Sequence, residues 1–491
     1  MKVSSIILRS NSKLIALHKG IVDENNKIKS GITIKSIIEK MNFIKCVYNI
    51  NNENKGKEIY IINKFSLHIL TTIDKMVMLI ENELKSISFK YKFNKPGKYN
   101  VYFSLKEENL EFLDLSYLFK DCKSLVNVNF SLFNPTKIKI LFISYMFYNC
   151  SSLEEIDLSS FVNTFEISDM SKMFYGCNSL EKINLSSFNT NCVKNMNNMF
   201  YGCKSLKELN LSSFNTSNVT DMSSMFSGCE SLREIDISSF KTANVTEMNY
   251  MFSFCELLKD IDLLSFDTNN VTNMHAMFNG CKSLEKINLS SFNTNNVTNM
   301  SSMFYGCKSL KEIDLSLFNT TKVTKLNEMF SDCISLVKLN LNSFNTDKVI
   351  EMKGLFSNCK ILEEIDLSSF NTDNVTSMES MFCGCESLEK LDLSSFNTIK
   401  ITNMSNMFNR CKSLKTINLS SFNTSNVIYF YNMFSNCCSL KNINLSSFNT
   451  NNAISIFGMF EGCKSLGKLN LTSFDMKNIE DMLSLFSDMN H

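Results

Sequence analysis

Apolar side chains recur along most of the chain in a pattern that repeats every 26 residues. In the unit that begins at Cys203, Leu209 and Leu211 alternate with polar residues, and Val219 and Met222 then follow at a spacing of three residues. Alternation predicts a strand with one buried face, whereas a spacing of three favours a helical or 3₁₀ turn. Each coil is therefore predicted to contain one short strand and one short helical turn.

Cysteine and phenylalanine hold fixed places in this unit, so equivalent side chains form columns. The cysteine column with a strict 26-residue spacing comprises Cys177, Cys203, Cys229, Cys255, Cys281, Cys307, Cys333, Cys359, Cys385, Cys411, Cys437 and Cys463. A unit this short cannot bury its own apolar side chains, so the units must stack on one another as a solenoid. Two phenylalanine columns and the methionines are predicted to form the core.

The pattern predicts an α/β fold: a solenoid with one short parallel strand and one short helical turn per 26-residue coil, plus a small N-terminal α+β domain. The predicted domains are a basic head, residues 1–105, and a solenoid of about 14 coils, residues 106–491.

The head lacks the repeat and needs a separate interpretation. Ser86–Phe93 and Tyr99–Leu105 alternate on either side of a turn sequence, which predicts a β-hairpin that caps the first coil. Ile59–Ile62 is predicted to be a strand and Ile69–Leu84 a helix. No C-terminal cap is visible in the sequence. The last coil could cap itself with Asp481, Ser484, Ser487 and Asp488, its exposed face could join another molecule by self-association, or the gene product could be a fragment, in that order of expectation.

Motifs within the unit resemble a known family. Leu206, Leu209, Leu211 and Phe214 follow the spacing of the leucine-rich repeat signature, and Met-Phe-x-Gly-Cys followed by Ser-Leu resembles the BspA-type leucine-rich repeats. The resemblance covers about residues 110–491. It implies that the solenoid is leucine-rich-repeat-like and right-handed. It also implies a surface protein that binds other proteins, often as an adhesin, and that has no catalytic activity.

Charge is unevenly distributed although the whole chain has a formal net charge of +1. Residues 1–105 hold 18 Lys and Arg against 8 Asp and Glu, which leaves the rest of the chain acidic. The head could contact an anionic surface, or its lysines could simply be solvated. No nucleic acid partner is expected for the repeats.

Catalytic and metal-binding motifs do not emerge. Gly306-Cys307-Lys308-Ser309 lacks the spacing of a phosphate-binding loop, and it recurs in many units. The cysteines lie among apolar positions, which favours a column of buried reduced thiols over disulfides or zinc ligands. We therefore expect no enzyme activity, no cofactor and no bound metal.

Targeting signals and the family resemblance point to different compartments. The first residues contain only a short apolar run, and no apolar stretch reaches the 18 residues typical of a membrane span. The sequence signals therefore predict a cytoplasmic protein, whereas the resemblance implies the cell surface.

The exposed positions of the strands supply the candidate partner contacts. A central polar column and an interrupted consensus near residue 430 give the candidates Asn210, Asp236, Asp262, Asn288, Asp314, Asp366, Asp392, Tyr429 and Tyr431. If Phe430 takes the buried methionine place, Tyr429 and Tyr431 point outward. In the column that contains Glu155 and Lys182, opposite charges are expected to face one another across neighbouring coils.

Three functions are compatible with these features. The first is a non-enzymatic protein-interaction scaffold, an adhesin-like binder that displays an extended polar strand face. The second is a structural element that assembles end to end. The third is a glycan- or ice-binding surface built on the column Thr216, Thr242, Thr268 and Thr294.

Overall fold

The computed structural model describes residues 43–63, 76–81, 83–105, 112–131, 139–474 and Leu485. The chain divides into two compact units, a first unit of Met1–Val219 with Ile235–Ser239 and a second unit of Thr220–Glu234 with Phe240–His491. Within each unit the repeats stack as coils of a leucine-rich-repeat-like β-solenoid, which confirms the predicted fold class.

The strands of the described residues are short, apart from two in the N-terminal region. They are β1 (Phe43–Ile50), β2 (Glu58–Tyr60), β3 (Met76–Ile80), β4 (Glu83–Ser86), β5 (Lys90–Lys92), β6 (Gly97–Leu105), β7 (Phe112–Asp114), β8 (Leu125–Asn129), β9 (Lys139–Phe142), β10 (Glu155–Asp157), β11 (Lys182–Asn184), β12 (Glu208–Asn210), β13 (Glu234–Asp236), β14 (Glu312–Ile313), β15 (Lys338–Leu339), β16 (Lys390–Asp392) and β17 (Thr416–Asn418).

One sheet joins the N-terminal strands to the first coils of the first unit. Its strand order is β11-β10-β8-β1-β6-β3-β4. Strand β1 pairs antiparallel with both β6 and β8, whereas β8, β10 and β11 pair in parallel, as stacked coils must. The N-terminal region therefore covers the first coil with β1.

Two predictions for the head are wrong in their pairing or type. Strand β5 pairs with β2 and β6 pairs with β1 and β3, so Ser86–Phe93 and Tyr99–Leu105 do not form the predicted hairpin with each other. Alternation fixes which face of a strand is buried but does not select its partner.

Within the predicted helix Ile69–Leu84, Met76–Ile80 and Glu83–Leu84 belong to an antiparallel hairpin of β3 and β4. A short apolar run does not distinguish the two element types.

Within a coil, the strand ends at an Asx turn. Leu209 and Leu211 are buried on either side of the exposed Asn210, as the alternation predicts. The Oδ1 atom of Asn210 accepts a hydrogen bond from the backbone N–H of Ser212 at 2.9 Å. Because this bond offers the backbone an alternative to the strand ladder, the chain turns there.

The segment predicted as a helical turn consists of successive turns. Met225 N–H donates to the carbonyl of Met222 at 3.2 Å, and Cys229 N–H donates to that of Phe226 at 3.1 Å, the i to i+3 pattern of a 3₁₀ turn. Before these turns, successive coils between Asp221 and Ser455 form parallel bridges to one another, for example Asp221 to Glu247.

The predicted aromatic and sulfur columns form the core. Phe304 is fully buried and stacks on Phe278 and Phe330 with ring centroids 5.7 and 6.0 Å apart. Met300 and Met303 are buried beside it. The C-terminal residues on which the expectation of end-to-end assembly rests, 475–484 and 486–491, lie outside the described residues.

Candidate binding surface

The candidate residues of the strand face share one local geometry. Each Asn or Asp accepts, through Oδ1, the backbone N–H of the residue two positions later at 2.9 to 3.2 Å; the residues are Asn210, Asp236, Asp262, Asn288, Asp314, Asp366 and Asp392. Asp236 is half-buried and the other six are exposed. The Asx turn therefore holds each side chain in one orientation at the surface.

Serine neighbours stabilise the ionised form of several of these carboxylates. The hydroxyl and N–H groups of Ser238 lower the pKa of Asp236, and those of Ser316 do the same for Asp314. The N–H and hydroxyl groups of Ser368 and Ser394 lower the pKa values of Asp366 and Asp392. Hydrogen bonds to the charged form favour that form. The strand face therefore presents fixed negative charges at neutral pH.

The strand face contains an open groove in the second unit. It has a volume of about 520 Å³ and lies between the segments 337–342 and 363–366. Its lining combines apolar side chains, Val337, Leu339 and Ile365, with the polar side chains Asn340 and Asp366. A smaller cavity is lined by both Asn288 and Asp314. Neighbouring members of the candidate column thus line the same depressions.

The ion pairs between coils lie mainly outside the column in which charge pairing was expected. Glu155 and Lys182 are register partners of β10 and β11. The ion pairs form at other repeat positions, with Nζ to carboxylate oxygen distances of 2.6 to 3.8 Å, and include Lys207–Glu181, Lys259–Glu285, Lys282–Glu256, Lys325–Glu351, Lys353–Glu379, Lys412–Glu386 and Lys415–Glu389. The two residues of each pair are 26 apart and so occupy the same repeat place in neighbouring coils, where opposite charges lie directly across from each other.

Tyr429 and Tyr431 point outward and Phe430 is fully buried, as the interrupted consensus predicts. Sequence reasoning missed their apolar neighbours in the next coil. Tyr431 stacks on Phe457 with ring centroids 5.6 Å apart, and Ile454 is 64% exposed. The signal was available in the sequence, because both residues occupy places that are usually polar.

Tyr250, His275 and Leu264 are also departures from the consensus. The Tyr250 hydroxyl lies 2.7 Å from His275 Nε2, and His275 Nδ1 lies 2.8 Å from the Ser301 carbonyl oxygen. Both ring nitrogens therefore have hydrogen-bond partners within the array. Leu264 is exposed.

The threonine column cannot serve as the proposed glycan- or ice-binding surface. Thr216, Thr242, Thr268 and Thr294 are at most 1% exposed. Thr268 Oγ1 donates to the carbonyl of Asn293 and accepts the N–H of the same residue, both at 2.8 Å. These hydroxyl groups join neighbouring coils from inside, so the column is structural.

The cysteine column is also internal. Its members are free and buried, and Cys281 Sγ, for example, donates to the carbonyl oxygen of Phe252 at 3.1 Å. Burial raises the pKa of Cys281 and of Cys333 to about 12. Among the described residues, no group of three His, Cys, Asp or Glu side chains could hold a metal ion. Nor does the described part of the chain contain a helix with the length and apolar character of a membrane span.

A family model matches most of the chain in overlapping segments. It is described as Mycoplasma protein of unknown function, DUF285, and it matches residues 113–233, 168–285, 221–338, 251–362, 302–391, 334–437 and 385–491. No curated protein matches the sequence.

Two solved structures resemble the chain at low identity. One is the crystal structure of a TLR13–ssRNA13 complex, with 18% identity, a TM-score of 0.22, and coverage of 63% of this chain and 48% of that chain. The other is the functional domain of InlJ from Listeria monocytogenes, which includes a cysteine ladder, with 15% identity, a TM-score of 0.29, and coverage of 65% and 58%. The chain thus spans about half the length of each.

Proposed function

Because the chain belongs to DUF285, a family described as Mycoplasma protein of unknown function, its activity has to be argued from its surface, and we propose that it is a non-enzymatic protein-interaction scaffold. The strand face binds the partner, in the manner of an adhesin. The resemblance of the Met-Phe-x-Gly-Cys units to BspA-type repeats supports this function, and the solenoid is an architecture that other proteins use to display extended binding surfaces.

The observation that carries the proposal is the fixed orientation of the polar column. In Asp314, Asp366 and Asp392, Oδ1 accepts a backbone N–H at 2.9 to 3.0 Å while the side chain stays exposed. A side chain that is already ordered loses little conformational entropy when a partner binds. The Asx turns that end the strands therefore also present a column of preorganised acceptors to a partner.

Charge indicates the chemistry of the partner. The carboxylates of Asp236, Asp314, Asp366 and Asp392 have lowered pKa values and are ionised at neutral pH. The groove between segments 337–342 and 363–366 adds apolar lining next to Asp366. A protein segment that combines Lys or Arg with apolar side chains complements this surface.

The test compares two triple variants of the full chain. Asp314→Asn, Asp366→Asn and Asp392→Asn together remove three charges but keep the Oδ1 acceptor and hence the turn. Asp267→Asn, Asp347→Asn and Asp373→Asn remove three charges of the same unit from another corner of the coil, where Asp267 also accepts an N–H two residues on.

Partners are captured from a cell lysate, identified by mass spectrometry, and titrated as purified proteins. We expect the strand-face variant to bind the captured protein at least about tenfold more weakly, since charge-assisted contacts of this kind are the strong ones, and the control variant to bind like the wild type. Equal affinity of the two triple variants, or a partner that requires neither set of residues, would contradict a role for the strand face.

A further inference from the structure

The first unit carries a cluster of stacked tyrosines at its surface, which we call the tyrosine ladder: Tyr117, Tyr145, Tyr148, Tyr175 and Tyr201. All five are half-buried. Tyr117 stacks on Tyr145 with ring centroids 4.8 Å apart. In the adjacent column Tyr148 stacks on Tyr175 at 4.6 Å and Tyr175 on Tyr201 at 4.5 Å. Tyr145 and Tyr148 connect the two columns at 5.5 Å.

Two lysines lie over the rings of the tyrosine ladder. Lys120 Nζ is 5.6 Å from the ring centre of Tyr117 and 5.3 Å from that of Tyr148. Lys172 Nζ is 5.1 Å from the ring centre of Tyr145 and donates to its hydroxyl at 3.0 Å. Cation–π contacts of this geometry hold the ammonium groups against the ladder. The surface therefore combines a row of phenols with two placed positive charges.

Protonation states at neutral pH follow from the surroundings. Burial raises the pKa of Tyr117 and Tyr175, so both phenols keep their protons. The hydrogen bond to Tyr145 raises the pKa of Lys172, so this ammonium group stays charged. The ladder thus offers hydroxyl groups that can both donate and accept, together with fixed cations.

The tyrosine ladder is confined to a few consecutive coils, and stacking of the core does not require tyrosine at these places. Met-Phe-Tyr stands at residues 146–148, 173–175 and 199–201, and this local repetition is the signal that sequence reasoning overlooked. At the same repeat place, the second unit has Tyr305 in one coil and small polar residues such as Ser253, Asn279 and Ser331 in most others. Since those coils stack without tyrosine there, the ladder adds a surface property to the first unit.

The geometry disfavours two common classes of ligand. Single-stranded nucleic acids bind by stacking their bases on free aromatic faces, but here the ring faces stack on one another. An extended peptide strand repeats its side chains on one face about every 6.6 Å, which does not match rings spaced 4.5 to 4.8 Å apart. The repeat of one sugar residue along a linear polysaccharide, in contrast, is close to the ring spacing of the ladder.

We propose that the tyrosine ladder is a binding site for a linear acidic polysaccharide. The phenol hydroxyl groups exchange hydrogen bonds with successive sugar hydroxyl groups, and Lys120 and Lys172 pair with carboxylate or sulfate groups along the polymer. None of the ladder residues belongs to the polar column of the strand face, so this site goes beyond the scaffold function and does not depend on it.

The test measures binding of the full chain to fluorescently labelled hyaluronan and heparin by anisotropy, with neutral dextran and a uridylate RNA as comparison ligands. Tyr148→Phe, Tyr175→Phe and Tyr201→Phe together remove three hydroxyl groups and keep the stacked rings. Lys120→Met with Lys172→Met removes both charges and keeps the alkyl chains over the rings. The matched controls are Tyr305→Phe, from the same repeat place in the second unit, and Lys139→Met with Lys207→Met, exposed lysines of the first unit.

We expect the acidic polysaccharides to bind at least about tenfold more tightly than dextran, and each ladder variant to lose about tenfold or more in affinity, because charge-assisted bonds are lost or hydroxyl partners are left unpaired. The control variants and the triple variant of Asp314, Asp366 and Asp392 should bind like the wild type. Equal binding of ladder and control variants, binding of dextran at the level of hyaluronan, or tighter ladder-dependent binding of the RNA would each overturn the proposal.

Discussion

Side chains with a single polar atom join neighbouring coils from inside the solenoid. Thr294 Oγ1 accepts the N–H of Asn319 at 2.8 Å and donates to its carbonyl at 2.9 Å, and Cys307 Sγ donates to the carbonyl of Phe278 at 3.2 Å. Burial of these groups costs little because each finds a partner in the adjacent coil. The sequence identified the cysteines as internal from their apolar surroundings. It could not identify the threonines, because a recurring hydroxyl is equally typical of an exposed column.

The threonine hydroxyl can be removed without a change of shape. Thr294→Val keeps the volume but leaves the Asn319 N–H without its acceptor, so we expect the free energy of unfolding to fall by about 1 to 3 kcal/mol. Thr298→Val is the matched control. Thr298 is exposed, and its hydroxyl bond to the Thr272 carbonyl is 3.2 Å long, so its loss should change stability by less than about 0.5 kcal/mol. Urea unfolding checks both variants, and equal losses would contradict the internal role.

The buried thiols should make the free energy of unfolding decrease as the pH rises through the alkaline range. Burial raises the pKa of Cys281 from its ordinary value of 9.0 to about 12. The folded state then keeps a proton that the unfolded state loses, so this contribution is complete below pH 9.0 and is lost as the pH rises toward about 12. Cys281→Ala should therefore flatten the decline of the unfolding free energy in this range. Cys192→Ala, at an exposed cysteine, is the control, and identical slopes in both variants would refute the assignment.

At the scale of elements, the turns of each coil require particular backbone conformations at fixed repeat places. The place before the column cysteine has a positive φ in coil after coil, with values of 68° at Gly306 and 63° at Arg410. Glycine adopts this left-handed conformation without a steric penalty, whereas a residue with a Cβ adopts it at a cost in free energy. This is why Met-Phe-x-Gly-Cys is the common form of the unit, and why its exceptions store strain.

Replacement of one such exception by glycine should stabilise the protein. Arg410 is exposed, so Arg410→Gly removes mainly the left-handed strain, and we expect a gain of about 0.5 to 1 kcal/mol after the larger entropy of the unfolded glycine is subtracted. Arg233→Gly makes the same chemical change in the second unit at a residue outside the left-handed positions, and it should lower stability. Thermal unfolding compares the two, and a loss in both would show that strain at residue 410 is negligible.

The repeated elements could be predicted from the sequence because one pattern recurs in many copies. Leu209 and Leu211 face the core as their alternation indicates. The N-terminal strands have no such redundancy, and their partners depend on contacts between distant segments. β6, for example, pairs with β1 rather than with β5.

The same distinction holds for the candidate surfaces. The single column of Asp and Asn was visible as a repeat. In the tyrosine ladder only the repeated Met-Phe-Tyr was visible, and the contact of Tyr145 with Tyr148 that joins the two columns appears only in the folded chain.

At the scale of the whole chain, a register of 26 residues constrains every column from Cys177 onward. In the second unit, Asn273 bridges Asn299, and Asn299 in turn bridges Lys325. The phenylalanine stack passes through Phe278, Phe304 and Phe330 in the same register. Stability in such an array is approximately a sum of coil terms and nearest-neighbour interface terms. A change in coil number is therefore expected to be tolerated better than a change in coil length.

Deletion of one whole coil separates these two effects. Without residues 281–306, Cys255–Gly280 is followed directly by Cys307, and each threonine, phenylalanine and cysteine again meets its own kind in the next coil. We expect this variant to fold and to unfold cooperatively in urea, with a lower midpoint because one interface is lost.

Deletion of residues 281–300 removes fewer residues but sets Phe304 six places away from Phe278, where the phenylalanine columns no longer align. Its circular dichroism should show loss of cooperative unfolding, since misplaced aromatic rings cannot be packed by small adjustments. A shorter deletion that is as stable as the whole-coil deletion would mean that stacking of equivalent residues does not determine the fold.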